Sequence, residues 1–270
     1  MPELPEVETV KNSIQPVLLG KIIKQVTFNR ENLRTPLPFD KLDFCKNAEI
    51  ISLKRIAKYI VINLSSDYSL VIHLGMSGRI FVQNLDYKHT KHDHVIIELE
   101  NNLLIFNDPR RFGVFDIIKT RDLQNSSYFK NMGPEPLTKD FDENYLQKKL
   151  KNKSLPIKAT IMDNAIVVGV GNIYASESLF LAKINPLVSS NSLNLEQLKN
   201  LAKAIKMVLQ DAIKAGGSTI KDYKIPDGRE GYFQTKFQVY GKDFCTKCGG
   251  SIFKVKTSGR ATYYCKACQI

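Results

Sequence analysis

Two cysteine pairs, Cys245-x2-Cys248 and Cys265-x2-Cys268, stand sixteen residues apart near the C-terminal end and restrict the fold more than any other feature of the chain. Each pair offers two thiolates from one tight turn, and two such turns supply the donor set of a tetrahedral metal ion. Gly249-Gly250 supplies the unusual backbone angles such a turn needs. The residues between the pairs, 251–256 and 261–264, read as a β-hairpin with Thr257-Ser258-Gly259-Arg260 at its tip. Two disulfides or an iron–sulfur cluster are the competing readings, and the spacing favours one structural Zn²⁺ on Cys245, Cys248, Cys265 and Cys268. Such a site has no open coordination position, so the metal is scaffolding that holds Arg260, Lys254, Lys256 and Lys266 toward a phosphate backbone. The fifth cysteine, Cys45, reads as a small buried hydrophobe rather than a reactive thiol.

Thirty-nine Lys and Arg against 27 Asp and Glu leave a formal charge of +12, which makes a polyanion the natural partner. A membrane surface is the rival, but no apolar span is long enough to cross a bilayer, and neither a signal peptide nor a lipidation motif is evident. Nucleic acid, in a cytosolic or equivalent compartment, is the expectation. At 270 residues and 43% hydrophobic the chain accommodates two medium domains and a metal-held tail.

Apolar residues recur at helical spacing over 6–19, with Gly20 as a stop signal. Short runs rich in β-branched residues follow at 50–53, 59–64, 70–74, 95–99, 103–106 and 114–118, the pattern of a sandwich or flattened barrel. Two prolines and a glycine within 131–136 mark a linker. Beyond it, 142–151, 155–163, 173–183 and 195–215 read as helices. Gly169-Val170-Gly171 lacks the third glycine and the βαβ context of a dinucleotide site, so no organic cofactor is expected. It reads instead as a turn opening a helix, aiming backbone N–H groups and the Asn172 side chain at a phosphate, with Lys153 and Lys158 extending the positive face.

Pro2-Glu3-Leu4-Pro5-Glu6 admits two readings. Prolines and acidic residues suit a helix N-terminus and need mean nothing more. Alternatively, removal of Met1 exposes a secondary amine beside the Glu3 carboxylate, a pair suited to Schiff-base chemistry. His89, His92 and His94 with Asp93 leave a second metal site open, although His94, opening a strand, reads as structural.

Pro2–Thr9 together with the four-cysteine finger resembles bacterial formamidopyrimidine-DNA glycosylase. Further matches fall in order: Arg55-Ile56-Ala57-Lys58-Tyr59, His73-Leu74-Gly75-Met76-Ser77-Gly78, Lys91-His92-Asp93-His94, Asp108-Pro109-Arg110-Arg111-Phe112-Gly113 and Val168-Gly169-Val170-Gly171-Asn172-Ile173-Tyr174. The resemblance spans the chain and implies an α+β fold. Its parts are an N-terminal catalytic β-sandwich with flanking helices (1–130), a linker (131–136), a helix-two-turns-helix DNA-binding domain (137–222), a lesion loop and connecting segment (223–240) and a β-hairpin zinc finger (241–270). It implies a monomeric enzyme of a bacterial-type cytoplasm, associated with the nucleoid, that removes 8-oxoguanine and formamidopyrimidines from double-stranded DNA, preferably opposite cytosine, and then cuts the strand.

The same resemblance gives each residue a role. Pro2 is the nucleophile at C1′ and Glu3 the general acid. Lys58 neutralises a lesion phosphate and assists β-elimination, and Arg260 grips phosphates for the δ step. Met76 and Phe112 fill the hole left by the extruded base, and Arg110 bonds the orphaned cytosine. His92, Lys153 and Asn172 contact the backbone. Taken alone, Lys58 would be a solvated lysine and Phe112 a core residue, whereas Met76 between two glycines suits an exposed loop tip. A non-catalytic zinc-finger protein, a member of the endonuclease VIII branch and a zinc-ribbon RNA-binding protein are the alternatives.

Overall fold

The computed structural model describes residues 1–218 and 231–270, so residues 223–230 of the segment read as a lesion loop, and 219–222 at the end of the helical domain, lie outside the described residues. The chain forms two compact units. One is Met1–Lys130 with the described residues of Gly216–Gly231; the other is Asn131–Ala215 with Tyr232–Ile270.

The first unit opens with α1 (Leu4–Leu18), two residues earlier than the apolar spacing predicts, because Glu3 caps it and Pro5 sits in its first turn. Eight strands follow: β1 (Gln25–Phe28), β2 (Ile50–Ile56), β3 (Tyr59–Leu64), β4 (Tyr68–His73), β5 (Arg79–Asn84), β6 (Asp93–Glu98), β7 (Asn102–Asn107) and β8 (Val114–Lys119). They build two antiparallel four-stranded sheets, ordered β2-β3-β4-β8 and β1-β6-β7-β5. Period-two alternation sends Ile60, Ile62, Leu70, Ile72, Phe115 and Ile117 of the first sheet into one core with Val26, Phe28, Ile80, Val95, Ile97, Leu104 and Phe106 of the second. Val7, Val10, Ile14 and Leu18 of α1 join that core, as does Cys45, fully buried as expected. Side chains of this size contribute about 1.5–3 kcal/mol each when fully buried, against about 1 kcal/mol for a helix cap, so packing dominates the stability of the unit.

The second unit holds α2 (Glu143–Leu150), α3 (Ile157–Ile161), α4 (Asn172–Leu181), α5 (Leu195–Lys214) and the hairpin β9 (Phe253–Thr257) and β10 (Arg260–Tyr264). α3 is shorter than the 155–163 expected, since the ring of Pro156, its N-cap, disfavours helical geometry at Leu155. α4 is buried nearly all round, from Ile173 to Phe180. α5 begins with a reciprocal cap: the Gln197 N–H donates to Asn194 Oδ1 at 2.9 Å, and the Asn194 N–H donates to Gln197 Oε1 at 3.0 Å. Its buried face is Leu198, Leu201, Ala202, Ile205, Leu209 and Ala212. Among the described residues no helix is long and apolar enough to cross a membrane.

Candidate active site and metal centre

The Pro2-Glu3 pair is built into the start of α1. Pro2 is buried and Glu3 is 3% exposed, whereas Met1 is exposed. Buried Glu6 holds the pair: its Oε2 accepts the Glu3 N–H at 2.8 Å, and the Glu3 side chain takes the Glu6 N–H in return. The other oxygen, Oε1, accepts the Ser218 N–H at 2.8 Å and the Ser218 hydroxyl at 3.0 Å. Gly217 approaches so closely that a Cβ there would lie 2.9 Å from Glu6 Oε1, at a backbone φ of +78°. One carboxylate thus fixes both the N-terminal turn and the chain leading into residues 219–230. Sequence reasoning assigned Glu6 no role, although the Glu3-x-x-Glu6 spacing is the mark of a capping box.

Lys58 lies in the turn between the paired strands β2 and β3, beside Ala57 at φ 55°. Arg55 clamps the turn, with its NH1 donating to the Ala57 carbonyl at 2.9 Å and its Nε to Glu8 Oε2 on α1 at 2.8 Å. Lys58 is 8% exposed, so it is not the solvated lysine its neighbours in sequence suggest. Beside it stands His73, which no role singled out within its motif. Burial first, then the Lys58 and Arg34 charges, push its imidazole down to about 4, against a weaker upward pull from Asp108. Neutral His73 accepts the Gly75 N–H on Nδ1 at 2.9 Å.

Met76 is half-buried in the turn after β4, less open than two flanking glycines imply. Arg110 and Phe112 are exposed, the guanidinium 5.0 Å from the ring centroid, so Phe112 is not a core residue. His92 is half-buried, and His94 Nε2 pairs with the Asp108 carbonyl at 2.9 Å, a structural contact. Asp93 binds the Thr90 N–H at 2.6 Å and Asn107 Nδ2 at 2.7 Å. The only group of three or more His, Cys, Asp or Glu side chains able to share a metal among the described residues is the four cysteines.

In the second unit, Asn172 opens α4 after Gly171, its N-cap, and Lys153 is exposed. Lys158 corrects an expectation: it is 2% exposed and does not extend a positive surface. Its Nζ donates to Asn172 Oδ1 at 2.5 Å, to the Ala261 carbonyl at 2.9 Å and to Thr262 Oγ1 at 3.0 Å, tying α3 and α4 to β10. Arg260, exposed, is the first residue of β10 and pairs with Thr257. The hairpin turn is Ser258-Gly259 alone, at φ 48° and 78°, because positive φ at both positions matches the twist of the strands.

The four cysteine Sγ atoms lie within 4.8 Å of one another, with Cys245–Cys268 at 3.8 Å and Cys248–Cys265 at 3.5 Å, and all are free thiols. Zn–S bonds of about 2.3 Å in a tetrahedron place sulfurs about 3.8 Å apart, so the cluster fits that ion. Glu177 of α4 anchors the approach to the cluster, its carboxylate accepting the backbone N–H groups of Gln238, Val239 and Tyr240 at 2.8–3.1 Å.

Comparison with known proteins first defines a class. Residues 1–115 match the formamidopyrimidine-DNA glycosylase N-terminal domain and residues 132–224 the formamidopyrimidine-DNA glycosylase H2TH domain. This is the architecture of a DNA glycosylase with a helix-two-turns-helix module. The formamidopyrimidine-DNA glycosylase of Rickettsia bellii is 51% identical over 100% of this chain and 99% of its own, and that of Rickettsia africae 49% over the same shares. A crystal structure of a glycine-to-proline mutant of Lactococcus lactis FPG with DNA containing Fapy-dG superposes with a TM-score of 0.92 at 35% identity, covering 99% of both chains. Thermus thermophilus MutM (FPG) gives 0.90 at 35% identity, covering 99% of this chain and 98% of its own. The chain belongs to the formamidopyrimidine-DNA glycosylase family.

Proposed function

We propose that this protein is a bifunctional DNA glycosylase and abasic-site lyase of base excision repair, acting as a monomer in the cytoplasm on double-stranded DNA that carries 8-oxoguanine or a formamidopyrimidine opposite cytosine. The observation that carries the reading is the buried Pro2-Glu3 pair, held at the head of α1 by Glu6 next to the chain that leads into residues 219–230. A Lactococcus lactis relative in complex with Fapy-dG DNA, and the same protein with abasic-site DNA, support the substrate class.

With Met1 removed, the Pro2 nitrogen bonds to C1′ of the damaged nucleotide and the glycosidic bond breaks, its electron pair leaving with the base. Glu3 supplies the proton taken up in that step. The bonded nitrogen gives up its N–H proton, its restored lone pair forms the iminium as the C1′–O4′ bond breaks and O4′ takes up a proton, and the iminium acidifies the C2′ hydrogens. Loss of a C2′ proton expels the 3′ phosphate, loss of a C4′ proton expels the 5′ phosphate and leaves a gap, and water hydrolyses the iminium to free the sugar remnant from Pro2. Lys58 neutralises charge on the departing phosphate and Arg260 assists the second elimination. Met76 and Phe112 fill the vacated stack and Arg110 bonds the orphaned cytosine. His92, Lys153 and Asn172 hold the flanking phosphates. Cys245, Cys248, Cys265 and Cys268 would hold one structural Zn²⁺, which supplies no chemistry beyond fixing the hairpin.

A strand-cleavage assay on labelled duplex tests this reading. The protein should convert an 8-oxoguanine:cytosine or formamidopyrimidine:cytosine duplex to a one-nucleotide gap with phosphate at both ends, and Pro2→Gly should not. Binding without cleavage of either duplex would favour a non-catalytic DNA-binding protein.

A further inference from the structure

The three residues assigned to the vacated stack sit on two segments distant in sequence, the Met76 turn and the Arg110–Phe112 loop. We propose that Asp108 is the positioning residue that locks these segments into one wedge, an inference resting on the roles proposed above for Met76, Arg110 and Phe112.

The Asp108 carboxylate is fully buried. Its Oδ1 accepts the hydroxyl of Ser77, the residue after Met76, at 2.6 Å. The Arg110 N–H is shared between that Ser77 oxygen, at 3.1 Å, and Asp108 Oδ1 itself, at 3.3 Å, so the serine and the carboxylate together bridge one segment to the other. Oδ2 accepts the Gly113 N–H, just past Phe112, at 2.8 Å. The carboxylate therefore grips the loop at both ends and the turn beside Met76. The Asp108 N–H donates to the His92 carbonyl at 3.0 Å and its own carbonyl pairs with His94, which extends the lock to the His92 strand. Gly75 completes the contact: a Cβ there would lie 2.5 Å from the Phe112 carbonyl carbon, so the two backbones touch. Charge-assisted bonds at buried sites are strong and directional, and here they hold the chain beside the exposed Arg110 and Phe112 and the half-buried Met76. The result is a rigid base beneath the three side chains.

Asparagine at 108 keeps the shape but replaces one acceptor oxygen with a donor. It must face either the Gly113 N–H, a donor against a donor, or Ser77 and Arg110, where the hydroxyl loses its acceptor and the Arg110 N–H meets a second donor. Ser77→Ala cuts the link to the Met76 turn and leaves the Arg110 and Gly113 bonds to Asp108, so it carries the test should Asp108→Asn fold poorly.

Two substrates separate positioning from chemistry. One is an 8-oxoguanine duplex paired with cytosine or with adenine, which needs the wedge. The other is a single-stranded oligonucleotide with a preformed abasic site, trapped by borohydride, which does not. Both variants should lose about 10–100-fold in single-turnover excision from the cytosine duplex and most of the discrimination against adenine, while abasic-site trapping stays within about twofold of the parent. Equal losses on both substrates, or unchanged excision and discrimination in both variants, would overturn the proposal. A parent protein indifferent to the opposite base, and unaffected by Arg110→Ala, removes the underlying reading and the wedge with it.

Discussion

Lys158 Nζ lies 2.5 Å from Asn172 Oδ1, and that bond assigns the asparagine amide. With the oxygen taken by a lysine, the Asn172 NH₂ is left as the side chain's donor at the head of α4, the role proposed for it toward phosphate. The same Nζ binds Ala261 and Thr262, next to Arg260, so one buried cation sets two of the proposed phosphate contacts. Lys158→Met should destabilise the protein by about 2–4 kcal/mol, because its partners are left buried without a donor. It should also weaken duplex binding more than it slows excision at saturating enzyme. Urea unfolding and salt-dependent binding titrations check both.

That bond was not legible in the sequence, where Lys158 is one of several lysines between residues 148 and 158 and burial of a lysine is rare. The legible parts were those with local signals: the cysteine spacing, the α5 face, the central strands and β8, an edge strand whose run is apolar. β1 and β5 escaped because they are the two edges of their sheet. Edge strands carry polar residues against aggregation, and Arg79, Gln83 and Asn84 mask the β5 pattern around its single fully buried residue, Ile80. β2, also an edge, was read only to residue 53 for the same reason, since Lys54 and Arg55 continue it. The Asp108–Ser77 link joins residues 31 apart and leaves no periodic trace.

Glu3→Gln should separate the two activities. A general acid contributes about 10²–10⁴-fold, so excision of the base should fall by that factor. Cleavage at a preformed abasic site, which has no base to release, should fall far less. Parallel single-turnover rates on the two substrates measure the split.

Metal removal should act on the hairpin and spare the sandwich. Chelation should release about one equivalent of metal, and binding free energy on the order of 10 kcal/mol coupled to local folding goes with it. Backbone amide signals of Val255 and Tyr263 should lose dispersion and duplex affinity should drop at least about tenfold, while those of Ile62 and Ile72 in the sandwich hold their positions. Metal analysis with amide NMR follows both regions at once.

His73 predicts a pH dependence of stability. Its imidazole, about 4 in the native protein, lies below the ordinary value of 6.5, so between those values the unfolded chain binds a proton that the native state does not. The stability held by neutral His73 is complete above pH 6.5 and is lost as pH falls toward 4; buried His94, also shifted down, adds in the same direction. Unfolding midpoints should therefore decline from pH 7 to pH 4.5, and His73→Asn should flatten that decline. An unchanged slope in the variant would remove His73 as a source.

The central claim is that the Pro2 nitrogen becomes covalently bonded to the sugar of a damaged nucleotide. Incubation with an 8-oxoguanine:cytosine duplex and borohydride, followed by proteolysis and mass spectrometry, tests it most directly. The account predicts a reduced adduct on an N-terminal peptide beginning at Pro2. An adduct on Lys58 or any other lysine, with Pro2 unmodified, would contradict it.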